Sequence, residues 1–273
     1  MERVGEHPVN AGPLAVRWLA YEIGPVRAGA TGNARVALEN AGSATWRSRG
    51  RTGVRLAYHW LDPLGNAIVW DGTRAALPQP VSPGETVELD VSLAAPRPPG
   101  SYLLSFDLVE EHRFWFGEVG SATLDLPVEV APRIAERRLR VVISGVPDAE
   151  TVAALKAQEE PPVERDEVAL AYLASGALPA SDWSRRLLDA HAEGWVAVGG
   201  AVTPLSRRDG RTFAPWAPGG RNPRFDQPLL FPSLLDGVEP GELNGLPAYD
   251  GEGKLFEGRA VVRLRPRSGR PRA

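Results

Sequence analysis

The chain has 273 residues, enough for two domains of ordinary size, and its 43% hydrophobic and 24% charged content is that of soluble globular protein. A net charge of −3 gives no electrostatic basis for nucleic-acid binding. The absence of cysteine excludes disulfides, thiol nucleophiles and cysteine-ligated zinc, and no apolar run reaches the roughly 20 residues of a membrane span, so a cytoplasmic protein is expected.

Residues 14–131 alternate with period two between Gly/Pro turns, the pattern of strands with one apolar face. Val54, Leu56, Tyr58 and Trp60 share one face, with Arg55, Ala57 and His59 on the other, where His59 is expected at the surface. Val87, Leu89, Val91 and Leu93 alternate with Glu88, Asp90 and Ser92. Tyr102, Leu104, Phe106 and Leu108 form a further apolar row, and Leu124, Leu126, Val128 and Val130 form the last. One apolar face per strand predicts two sheets packed face to face. Pro99-Gly100-Ser101-Tyr102 places a tyrosine at the start of a late strand, where its hydroxyl can bond back across the connection, as in an immunoglobulin-like sandwich. Trp18 and Trp60 are expected in the core. Trp70 and Trp115 lie beside the turns Asp71-Gly72 and Phe116-Gly117 and are the candidate ligand-binding platform. Asp107, Glu110 and Glu111 are expected as a solvated rim.

Residues 132–138 form a charged linker, after which continuous apolar strands alternate with helices. A strand from Leu139 to Ile143 is buried on both faces; Asp148 caps a helix running to about Gln158; a second strand follows from Val168 to Leu173. Ser181 is the expected N-cap of a helix from Asp182 to His191, and His191 is expected to favour the carbonyl end of that helix. A third strand is expected from Trp195 to Val202. This alternation predicts a small α/β domain, 139–265, with a largely parallel sheet. The tail 266–273 is basic, and with the arginines just before it is a candidate for weak contact with anionic lipid. No His-x-x-x-His pair, phosphate loop or Gly-x-Ser-x-Gly elbow is present, and no metal site is expected.

Two resemblances sharpen this reading. Asn40-Ala41-Gly42 with Trp46, Tyr58-His59-Trp60-Leu61-Asp62, Pro83-Gly84-Glu85 and Phe106-Asp107-Leu108-Val109-Glu110-Glu111 with Trp115-Phe116 resemble bacterial immunoglobulin-like domains related to the four-tryptophan domain of an autophagy receptor. That implies a binding or spacer module, of a kind often attached to enzymes of surface-polysaccharide assembly. Further on, Leu178-Pro179-Ala180-Ser181-Asp182-Trp183, Leu187-Leu188, His191, Gly194 and Val198-Gly199-Gly200-Ala201-Val202, then Leu243-Asn244-Gly245, Ala248-Tyr249 and Leu255-Phe256-Glu257, resemble the nucleotide-sugar fold (GT-A type) of family 2 glycosyltransferases. On that resemblance Asn244 takes an acceptor-side asparagine position and Glu257 that of the catalytic base.

The family's metal-binding Asp-x-Asp is replaced by Ala174-Ser175-Gly176, and about 35 residues stand where the nucleotide-binding half normally needs several strands. Loss of a metal clamp removes several kcal/mol of charge stabilisation at a diphosphate. The expectation is therefore a two-domain protein, an all-β immunoglobulin-like sandwich followed by a reduced glycosyltransferase-like α/β domain. It binds a protein or glycan partner without catalysis or cofactor in bacterial surface-polysaccharide assembly, in the cytoplasm or at the membrane periphery. The rival is an active inverting glycosyltransferase with Glu257 as base, a divalent metal ion, and Asp182 replacing the lost ligand. The third reading is a structural spacer.

Overall fold

The computed structural model describes residues 1–5, 7, 9, 12–144, 146–174, 177–199 and 201–204, with the strand segments 230–235, 241–243, 246–248, 253–255 and 261–264. The protein is mostly β-sheet and divides into two compact units, Met1–Pro132 and Arg133–Ala273. Among the described residues no helix is long and apolar enough to cross a membrane.

The first unit runs β1 (Glu2–Arg3), β2 (Val16–Ile23), β3 (Thr31–Asn40), β4 (Ser48–Arg49), β5 (Thr52–Leu61), β6 (Ala67–Val69), β7 (Ala75–Ala76), β8 (Thr86–Ala94), β9 (Gly100–Glu110), β10 (Phe114–Trp115) and β11 (Leu124–Val130). One antiparallel sheet has the order β1-β2-β3-β8; the other has β10-β9-β5-β4, with β11 also on β9 and β6 and β7 on β5. The inner rows of both sheets make one core, including Val36 and Leu38 from β3, Leu89 and Leu93 from β8, Leu56 and Trp60 from β5, and Leu104 and Phe106 from β9. Each such side chain contributes roughly 1.5–3 kcal/mol, which lets the core stand without a disulfide.

Trp18, Trp46 and Trp60 are all buried, and the indole N–H groups of Trp18 and Trp60 donate to the carbonyls of Ala122 (2.8 Å) and Ala94 (2.9 Å). The Tyr102 hydroxyl donates back to the Pro98 carbonyl at 2.7 Å, as expected of a corner tyrosine. Asn40 is fully buried because its amide bridges the Ala44 and Val81 carbonyls (2.8 and 2.9 Å), which closes the turn after β3.

The second unit runs β12 (Leu139–Ser144), α1 (Ala149–Lys156), β13 (Ala169–Ala174), β14 (Ala177–Pro179), α2 (Trp183–Ala192), β15 (Ala197–Gly199), β16 (Ala201–Pro204), β17 (Leu230–Leu235), β18 (Gly241–Leu243), β19 (Leu246–Ala248), β20 (Gly253–Leu255) and β21 (Val261–Leu264). Asp148 caps α1 as expected, accepting from the Thr151 amide at 2.8 Å. Leu139, Ala171, Leu173, Trp183, Leu187, Leu188 and Val198 form the core of this unit.

Three expectations are corrected here. The main sheet, β12-β13-β17-β15-β20, is mixed: β12/β13 and β15/β20 are parallel, but β17 runs antiparallel to both of its neighbours. Its sequence, Leu230-Phe231-Pro232-Ser233-Leu234-Leu235, carries a proline that argues against a central strand. A register shift between Ala171 and Leu173 accommodates it where Pro232 has no N–H to give. The expected strand from Trp195 to Val202 is instead two strands, β15 and β16, in different sheets. Finally, Ser181 does not cap α2. Asp182 occupies that position without a side-chain cap bond, and the free Ser184 amide is satisfied by the side chain of Gln158 at 3.0 Å.

Candidate functional site

The outer face of β5 should meet water, yet Ala57 and His59 there are buried. The cover comes from the segment after β6. Trp70 folds back so that its ring stacks on His59, with centroids 3.9 Å apart and planes 21° apart. Trp115 from β10 meets the same imidazole edge-on at 4.3 Å and Trp70 at 6.0 Å. His59 Nδ1 bonds the Trp70 carbonyl, so the neutral tautomer carries its proton there. Burial lowers the His59 pKa, which keeps the ring uncharged at neutral pH.

The turn holding Trp70 is braced from two sides. Gly72 donates its amide to the Tyr58 carbonyl at 2.9 Å, and a Cβ at Gly72 would lie 2.4 Å from that oxygen, so only glycine fits. Arg74 lies 4.7 Å over the Trp115 ring and binds Asp71 (2.8 Å), Glu111 (3.1 Å) and the Gly72 carbonyl (2.7 Å). The result is a fixed aromatic trio in which Trp70 remains 46% exposed while Trp115 is only 8% exposed.

Asp107 lies on the same outer face, one pair along the ladder, opposite Ala57. It is buried, against the expectation of a solvated rim, because the corner at Gly117 folds over it. Its carboxylate accepts from the Leu108 amide at 2.7 Å and the Gly117 amide at 3.0 Å. Desolvation outweighs these bonds and pushes its pKa up to about 7. Glu111 of the same run is not free either; it is shared between Arg74 and Arg55. On the neighbouring row the Ser105 hydroxyl donates to Asp125 at 2.5 Å.

The sequence-derived candidates separate into three groups. Trp70 and Trp115 are brought together, with Trp70 as the accessible ring and Trp115 as its support. Asp182 lies at the start of α2, paired with Arg186 and, at 3.7 Å, with Arg185. Asn244 and Glu257 lie outside the described residues, as do Ser175, Gly176 and the basic tail. Among the described residues no three His, Asp or Glu side chains are grouped to hold a metal ion. Sequence reasoning missed His59 and Arg74; the signal was a histidine at an outward position facing two turn-flanking tryptophans.

His191 also departs from expectation. It is fully buried, with Nδ1 donating to the Trp195 carbonyl at 2.7 Å and Nε2 accepting from the Ser233 hydroxyl at 2.9 Å. Burial drives its pKa down to about 4, so it ties α2 to β17 as a neutral ring and brings no charge to the helix end.

No family model matches the chain, and no curated protein matches it. Among solved structures, the C-terminal domain of wzt is 13% identical, covering 44% of this chain and 75% of that one, with a TM-score of 0.29. The ApaA protein from Bordetella pertussis is 19% identical over 44% of this chain and 92% of its own, with a TM-score of 0.22. A family 123 glycoside hydrolase from Clostridium perfringens is 11% identical over 66% of this chain and 32% of its own, with a TM-score of 0.22. Likenesses at TM-scores this low define neither fold nor activity.

Proposed function

We propose that this chain is a non-catalytic binding protein of bacterial surface-polysaccharide or glycan assembly, acting in the cytoplasm or at the membrane periphery. Its first unit is an immunoglobulin-like recognition module and its second a reduced, glycosyltransferase-like unit. The observation that carries the reading is Trp70, an indole with one face stacked on a buried histidine and 46% of its surface left in solvent. Isolated exposed apolar residues are ordinary, but this one is held by Gly72, Arg74 and Trp115. A ring fixed before binding loses little entropy on contact. The engagement of Asp182 with Arg185 and Arg186 supports the non-catalytic side, because the enzymatic rival needs that carboxylate for a metal ion.

Calorimetric titration of the full chain tests the reading. Soluble polysaccharide should bind and Trp70→Ala should lose that binding, whereas UDP-, GDP- and dTDP-sugars should give no heat with or without Mn²⁺ or Mg²⁺. Metal-dependent nucleotide-sugar binding at micromolar affinity would replace this proposal with the transferase and make Glu257→Gln the next variant.

A further inference from the structure

The chemistry around the Trp70 platform narrows its ligand. We infer that it takes neutral or amino-bearing pyranosides and rejects polyuronates and other anionic glycans; this rests on the recognition role proposed above.

A free indole face matches the flat C–H face of a pyranose ring. What surrounds it is one-sided. Asp71, whose side chain is 72% exposed, adjoins Trp70 in sequence, and Asp71 and Asp125 both act electrostatically on the His59 ring beneath. Asp125 is exposed and uses one oxygen on Ser105; Glu118 is exposed and uses one on the Trp115 amide. Each therefore keeps an acceptor oxygen for a hydroxyl or ammonium group.

The donors point the other way. Arg74 is spent on Asp71, Glu111 and the Gly72 carbonyl, and Arg55 on the Gly50 carbonyl and Glu111. Their side chains are only 24% and 15% exposed. A sugar carboxylate would meet like charges, while the guanidinium groups of Arg74 and Arg55 are already engaged and largely buried.

The edge beside the platform also disfavours an extended peptide. The strand β6 has three residues, and its register shifts opposite Trp60 and Leu61, so it offers no regular ladder for strand addition.

The test uses the full chain in fluorescence titrations with dextran, mannan, chitohexaose and polygalacturonate, each repeated with Trp70→Ala and Asp125→Asn. At least one neutral or amino glycan should bind, with affinity reduced roughly tenfold or more by Trp70→Ala and several-fold by Asp125→Asn. Polygalacturonate should not bind the wild-type chain. Trp70-dependent binding of polygalacturonate in preference to the others would overturn the ligand class and leave the recognition role standing. Failure of all four to bind, or binding indifferent to Trp70→Ala, would overturn both.

Discussion

Lowering the pH from 7.5 to 5 should loosen the second unit through His191. In the folded protein the ring titrates at about 4, because it is buried between the Trp195 carbonyl and Ser233; released, it returns to 6.5. Between those values the unfolded segment binds more protons than the folded one. Stability is therefore intact above 6.5 and falls as the pH drops towards 4. The difference of about 2.5 pH units corresponds to roughly 3 kcal/mol, of which about 2 kcal/mol is lost by pH 5.

Hydrogen exchange of the α2 amides, corrected for intrinsic rates, reads this locally. Protection should be about 25-fold lower at pH 5 than at pH 7.5. The substitution His191→Gln should cost a constant ~1–3 kcal/mol and abolish the pH dependence. The same pH dependence in wild type and His191→Gln would refute the reasoning, since no titration at 191 would then be linked to opening.

Asp107 should act with the opposite sign in the first unit. Its folded pKa is raised from 3.8 to about 7, so the stabilisation of the protonated form is lost as pH rises towards and through 7. The substitution Asp107→Asn should raise the melting temperature increasingly from pH 6 to 8, the gain in stability reaching about 4 kcal/mol at pH 8. Gly72→Ala should cost about 2–3 kcal/mol in urea titration, because the Tyr58 carbonyl oxygen, 2.4 Å from the new methyl, cannot yield without moving β5. Trp60→Ala in the core should cost about 3–5 kcal/mol, whereas Trp70→Ala at the surface should cost under about 1 kcal/mol; equal shifts in urea midpoint would contradict the distinction between core and platform.

Much of the first unit is local enough to be read from the chain. A strand places every second side chain on one face whatever it pairs with, so Val87, Leu89, Val91 and Leu93 declare their burial without knowledge of β3. Tyr102 bonds four residues back, and Asp148 caps three residues on, which is why both were legible. Trp70 and Trp115 could be singled out by their turns, but not assigned as ring and support.

What tertiary structure decided depends on residues distant in sequence. Strand parity put His59 and Asp107 on the outer face; their burial comes from Trp70 folding back and from the Gly117 corner closing over. The cap of α2 comes from Gln158 rather than from Ser181 beside it, and β17 enters the sheet despite its proline, paired with β13 and β15 from other parts of the chain. Periodicity reports which way a side chain points. What covers it, and therefore its charge state and its availability to a ligand, is a property of contacts that only the folded chain creates.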